Sequence, residues 1–274
     1  MKDFNGHGNN KAGDVAYWNG SRVVTIDVEK YTEAFGPAVG VVVVPKGFAP
    51  DGKIRIVSLY AVNSNGIPSN TRQNTTWGIY GEKVSLTNLT KVPTTDNIGS
   101  TSTGSNGSGH LPSDVFNGQS SYVDNKSFYY SEADTTILIP SPYLGEDPNP
   151  EYYKNIEGNN ALSDFNGLNN TKTLVNMGPD YVAANACWKY TDYYSNLQWY
   201  LPGMGELGYL LVRVNEINNS INKLKGYQVD NANPYWSSTN NSDYSAYIAA
   251  ISNGAVYANS KNSNRSSRPF AIID

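Results

Sequence analysis

Residues 235–274, YWSSTNNSDYSAYIAAISNGAVYANSKNSNRSSRPFAIID, decide how this chain is read. The run opens on an aromatic strand start, Tyr235-Trp236, and closes on Arg268-Pro269-Phe270-Ala271-Ile272-Ile273, the pattern of a buried strand. Between Tyr235 and Arg268, 19 of 34 residues are Asn, Ser or Tyr. A catalytic centre needs a few defined acids, bases or metal ligands. This composition is that of contact loops, where Tyr gives rigid amphipathic area and Ser and Asn give adaptable hydrogen bonds.

The register of the run follows from its turn signal. Asn253-Gly254, between residues 244–252 and 255–259, predicts a two-residue type I′ hairpin. Ser252 then pairs with Ala255, Ile251 with Val256, Ala250 with Tyr257, and Ile248 with Asn259. Because side chains alternate, Tyr247, Ala249, Ile251, Val256 and Ala258 share one face, expected to be the core side. Ile248, Ala250, Ser252, Ala255, Tyr257 and Asn259 share the other, a chemical mixture expected of a contact surface.

Upstream lies the clearest helical signal. Leu207, Leu210, Leu211, Val214, Ile217, Ile221 and Leu224 repeat at three- and four-residue spacing, one apolar stripe stopped by Gly226. Pro202 is read at its first turn and Glu206 near the positive end of its dipole, with Asn215, Glu216, Asn219 and Lys223 in solvent. Shorter helices are expected over 171–177 and 181–190, the second carrying Cys187 as a small core hydrophobe. Toward the N-terminus, residues 13–18 and 22–28 read as strands turned at Asn19-Gly20. Residues 30–35 read as a helical turn, 39–44 as a strand buried on both faces, and 53–62 as another. Residues 94–109 are low-complexity Gly, Ser and Thr, without the GK[ST] of a nucleotide loop, and 135–140 read as a short strand.

The bulk numbers bound the function. With 274 residues, the chain is read as a disordered start, 1–12, followed by a single domain over 13–274 in which 51–149 is a loop-rich insertion and 235–268 the contact region. A net charge of −4 argues against nucleic-acid binding, and no apolar run is long enough for membrane insertion. The single cysteine rules out an internal disulfide and a Cys-based zinc cage. The two histidines, His7 and His110, lie in the polar start and the Gly/Ser loop, so a Ser-His triad is not expected. No metal or cofactor is expected. The polar N-terminus is not a signal peptide, so an extracellular, cell-surface or virion location is expected either by another route, for example inside a virion, or with a preceding segment removed.

Several segments together resemble one family. Gly13-Asp14-Val15 with residues 37–44, Trp199-Tyr200-Leu201-Pro202-Gly203-Met204-Gly205-Glu206-Leu207, Tyr235-Trp236-Ser237-Ser238-Thr239, Gly254-x-Val256 and Arg268-Pro269-Phe270 look like the variable proteins of diversity-generating retroelements. Those proteins have a C-type lectin fold and come from Bacteroides-type gut bacteria and their phages. The resemblance covers most of 13–50 and 150–274. It implies an α/β (α+β) domain with a small, mostly antiparallel sheet flanked by two helices, and a C-terminal region rewritten by adenine-directed mutagenesis.

Carried over position by position, the variable, ligand-contacting residues are Tyr244, Ile248, Ala250, Tyr257, Asn259, Asn262, Asn264 and Arg265. Trp236, Gly254, Val256, Arg268 and Phe270 are framework. The expected partner is a protein or glycan on a target cell or virion, with oligomerisation open. The Glu-Pro-Asn and Trp-Asn-Asp triplets of calcium-dependent lectins are absent, so calcium-mediated sugar binding is not implied. Two other readings stand beside this one: an invariant surface or phage-tail adhesin, and an enzyme of the formylglycine-generating type. The single cysteine argues against the second, because that chemistry uses a cysteine pair.

Overall fold

The computed structural model describes residues 10–84, 109–110, 164–252 and 255–274. Among these residues two six-stranded sheets form. The first takes β1 (Val15–Trp18), β2 (Val23–Ile26), β3 (Ala38–Val44), β4 (Ile54–Ser58), β9 (Trp199–Tyr200) and β14 (Phe270–Ile273), in the order β2-β1-β3-β4-β14-β9, with every pair antiparallel. The second takes β7 (Asn74–Thr75), β8 (Gly109–His110), β10 (Tyr235–Asn240), β11 (Ser245–Ala250), β12 (Ala255–Ser260) and β13 (Arg265–Ser266). Its order is β7-β13-β10-β11-β12-β8, with only β10 and β13 parallel. β5 (Ala61–Val62) and β6 (Pro68–Ser69) make a separate two-stranded ribbon. Four α-helices and a 3-10 turn, Glu33–Phe35, within the helical turn expected over 30–35, complete the set: α1 (Gly167–Met177), α2 (Val182–Lys189), α3 (Met204–Val212) and α4 (Val214–Lys223). The molecule is thus α+β with mostly antiparallel sheets, and it has two main sheets where the sequence led us to expect one.

Alternation along the strands builds two cores, one on each face. Val41, Val43, Val57, Tyr200, Tyr235, Tyr247, Ala249 and Phe270 pack with the stripe of α3 and α4, from Leu207 to Ile221. Their sequence neighbours Val42, Ile56, Trp199, Trp236, Ile248 and Ala271 point the other way, onto Leu174 of α1 and Ala183, Ala184, Ala186 and Cys187 of α2. Both sheet faces are therefore covered by helix, which is why the strands read as near-continuous apolar runs.

Two segments of the resemblance meet directly. The Ser238 N–H donates to the Pro202 carbonyl at 2.7 Å, and the Met204 N–H to Thr239 Oγ1 at 2.8 Å. Asp164, fully buried, joins them: its carboxylate accepts from Thr239 Oγ1 at 2.7 Å, Asn170 Nδ2 at 2.9 Å and the Asn166 N–H at 2.9 Å. Burial raises its carboxyl above the ordinary range against these three donors. Glu206 caps α3 by accepting the Gly203 N–H at 2.8 Å and also takes the Tyr200 hydroxyl at 2.8 Å. Arg268, buried, donates to the carbonyls of Ser58 and Tyr227.

Several expectations change. The long helix begins at Met204, leaving Pro202 outside it, and breaks at Arg213 (φ −118°, ψ 15°) into α3 and α4, while its stripe stays buried from Leu207 to Ile221 and Leu224 is partly buried beyond the end of α4. The strand expected over 53–62, inside the stretch assigned to the insertion, forms as two pieces, the buried central strand β4 and the short β5. Both hairpin turns are longer than Asn-Gly alone: Trp18 pairs with Val23 and Ala250 with Ala255, leaving four-residue connections. Residues 1–9, 94–108 and 135–140, with their expected disorder, low-complexity loop and strand, lie outside the described residues.

Candidate ligand-binding surface

The observed C-terminal hairpin pairs Ile248 with Tyr257, Tyr247 with Ala258 and Ala246 with Asn259. This is two residues away from the register that a two-residue turn dictates. A shift of two preserves the side-chain alternation, so the expected face partners still share faces. What changes is exposure, since neither face of β11 meets solvent. Trp236, Ile248 and Tyr257 form one cross-strand row, and Ile248 is fully buried in it, packed with Trp236 in the α2-side core. Ala250 is also buried. The expectation that Ile248 and Ala250 contact a ligand is corrected accordingly: that face of β11 is covered as well as the other. Tyr257 and Asn259 are half-buried, and burial raises the Tyr257 phenol while nearby Arg265 pulls it down.

Of the other four positions, Tyr244 immediately precedes β11 and Asn262 follows β12, whereas Asn264 and Arg265 lead into β13, which pairs with β7 and with Tyr235 at the far end of β10. Tyr244 is 55% exposed, Asn262 and Asn264 are exposed, and Arg265 is half-buried, its Nη1 donating to the Asn264 carbonyl at 2.8 Å. Three segments converge at Tyr244. The Lys261 N–H donates to the Tyr244 carbonyl at 3.0 Å, the Gly81 N–H to the Asp243 carbonyl at 3.0 Å, and the Trp77 N–H to the Lys261 carbonyl at 2.9 Å. These backbone bonds hold residues 77–82 against the two C-terminal turns. As a result Tyr80, also 55% exposed, stands beside Tyr244 with ring centroids 5.0 Å apart and planes tilted 55°. Ile79 is exposed next to it.

Below the pair the support is rigid. Trp77 is fully buried, donates its Nε1–H to the Ser237 carbonyl at 2.7 Å, and meets the Tyr181 ring edge-on at 5.8 Å. Lys261 is buried over the Trp77 face, and burial lowers its ammonium to about 8, against the pull of Asp243 and Glu82. Gly78 has to be glycine, since a Cβ there would lie 2.6 Å from the Tyr181 ring.

Reading the sequence missed Tyr80, Ile79, Trp77 and Lys261. A local signal did exist in Trp77-Gly78-Ile79-Tyr80-Gly81, a pair of large apolar residues lifted between two glycines. It lies more than 160 residues from Tyr244 in the chain, and nothing in either stretch announces the other. Chemically, the arrangement offers two aromatic faces with hydroxyl tips, an exposed aliphatic side chain in Ile79 and an exposed amide in Asn262, next to Lys261 in the chain. Such a surface offers ring faces for stacking and hydroxyl and amide groups for hydrogen bonds.

No protein-family model and no curated protein matches the chain. Among solved structures, it is similar to a fimbrial protein from Bacteroides ovatus, at 18% identity and a TM-score of 0.49. The likeness covers 97% of this chain and 49% of that one, so the chain spans about half the length of the structure it matches. A likeness at that level carries no argument about function.

Proposed function

We propose that the chain is a non-enzymatic binding protein of an exposed cell or virion surface. Its contact surface is the set of three converging segments around Tyr80 and Tyr244, and its ligand is a protein or glycan on a target. One observation carries this reading: two half-exposed tyrosine rings stand together on a buried platform tied by backbone hydrogen bonds between three segments. Tyr is enriched among the few residues that dominate binding energy, and an exposed aromatic cluster has no folding rationale of its own.

The finer reading places the chain among the C-type-lectin-fold variable proteins, with Tyr244, Asn262, Asn264, Arg265, Tyr257 and Asn259 as diversified positions. It is supported by the excess of Asn, Ser and Tyr in 235–268 and by the exposure of Tyr244, Asn262 and Asn264. Sequencing the DNA beside the gene tests it. A near-copy of the codons for 235–268, with adenines at the mismatched positions and a reverse transcriptase nearby, is the expected finding. If neither lies there, diversification is wrong for this chain.

The burial of Ile248 and Ala250 favours a second reading, an invariant adhesin using the same surface, because it removes two of eight positions from contact. Sibling sequences uniform at Tyr244, Asn262 and Asn264 would select it.

A further inference from the structure

A groove of about 850 Å3 opens elsewhere on the molecule and shares no lining residue with the Tyr80–Tyr244 surface. Its size is that of a small-ligand site. Five tyrosines line it: Tyr31, Tyr60, Tyr190, Tyr193 and Tyr194. Tyr193 and Tyr194 are 71% and 56% exposed, so their rings are not there to fill the core.

Backbone conformation singles out the same place. Among the described residues, the non-glycine residues with positive φ are Tyr193 (66°) and Lys225 (58°), and both line this groove. Lys225 occupies the left-handed position that closes α4. Its N–H donates to the Asn222 carbonyl at 3.0 Å and the Gly226 N–H to the Ile221 carbonyl at 2.9 Å, a Schellman closure in which glycine is the favoured residue. Tyr193 is held by Asp192, whose carboxylate accepts the N–H groups of Tyr194 (2.8 Å) and Ser195 (2.6 Å), the Ser195 hydroxyl (2.5 Å) and Trp199 Nε1–H (3.1 Å). Glycine would sit in either position with less strain. At both, the chain instead carries a long side chain over one groove. Exceptions to local preference that converge in space are the mark of a functional site.

The charges narrow the ligand class. Asp192 is spent on its own loop, and Lys223 is ion-paired with Glu29. The remaining lining charges are Glu33 and Lys225, one of each sign. That balance gives no field for a phosphate, a nucleic acid or a cation. Flat aromatic faces with hydroxyl tips suit a ligand with apolar ring faces and hydroxyl edges. A polyproline peptide would also stack on tyrosines but has few donors to offer Glu33, whereas sugar hydroxyls both donate and accept.

We propose that this groove binds a neutral oligosaccharide, stacking sugar rings on Tyr193 and Tyr194 while Lys225 and Glu33 take hydroxyl groups. The full chain should be applied to a printed array of neutral and acidic oligosaccharides that also carries a proline-rich decapeptide. Tyr193→Gly, Lys225→Gly and the pair Tyr80→Ala/Tyr244→Ala should be run beside it. The expected result is retention on neutral oligosaccharides, weakened at least tenfold by Tyr193→Gly and by Lys225→Gly and unchanged by Tyr80→Ala/Tyr244→Ala. Both glycine variants should also melt about 2–4 °C higher, since each relieves a left-handed side chain. Three results would overturn the proposal: no neutral sugar retained, retention indifferent to both glycine variants or lost with the Tyr80/Tyr244 pair, or preference for the peptide or for acidic sugars.

Discussion

The Lys261 ammonium lies 5.0 Å from the centre of the Trp77 ring and donates to the Glu82 carbonyl at 3.0 Å. Through that contact the loop bearing Tyr80 and the turn after β12 become one body. The cation is buried, and burial lowers its pKa to about 8. Between pH 8 and 10.5 the folded protein holds Lys261 neutral while the unfolded chain keeps it protonated. The unfolded state then binds more protons, so stability owed to this group rises with pH across that window. Chemical denaturation of the native protein and of Lys261→Met, measured from pH 7 to 10.5, should show the native protein gaining about 1–3 kcal/mol relative to the variant. Parallel curves would mean that Lys261 is not held as described.

The fate of the C-terminal hairpin shows what alternation can and cannot reveal. The sets led by Tyr247 and Ile248 were legible because side-chain period survives a two-residue error in register. Exposure was not legible, because alternation says which residues share a face and not what lies over it. Here α3 packs against β11 on the Tyr247 side, and Ile248 on the other side is buried in the core that holds Trp236 and Trp77. The stripe from Leu207 to Ile221 and the role of Glu206 at a helix start were readable from spacing, whereas the break at Arg213 has no signal in the apolar pattern. Tyr80 stayed hidden because its partner Tyr244 is distant in sequence and the contact is made through backbone bonds that any residue type can supply.

Burial of Ile248 makes a direct mutational contrast with Tyr244. Ile248→Ala removes a fully packed side chain between Trp236 and Tyr257 and is expected to cost about 3 kcal/mol. Tyr244→Ala removes an exposed ring and is expected to cost within about 1 kcal/mol. Urea midpoints at unchanged m-value provide the comparison.

Arg55 and Glu206 form a buried ion pair, Nε to Oε1 at 2.9 Å, with Asp51 accepting from the same guanidinium. Burial works against the Arg55 charge, but Glu206, Tyr200 and Asp51 together hold its pKa above the ordinary value. Glu206→Gln leaves a buried cation with only the half-exposed Asp51 for balance, and is expected to destabilise by about 3 kcal/mol. Adding Arg55→Met should recover part of that loss, because the orphaned charge goes with it. A double-mutant cycle by thermal unfolding, with a coupling of about 2 kcal/mol, is the expected reading; strict additivity would show that the pair contributes nothing.

The central claim, that Ile79, Tyr80, Tyr244 and Asn262 form a mutable contact surface on a fixed platform, is tested most directly by surface display of two randomised libraries. One library varies these four positions together; the other varies Trp77, Tyr247, Ile248 and Lys261. The account predicts that most members of the first remain folded and that sorting against immobilised lysozyme yields specific binders, while the second loses folded display. Equal loss of folding in both libraries, or a folded first library that yields no binder, would contradict it.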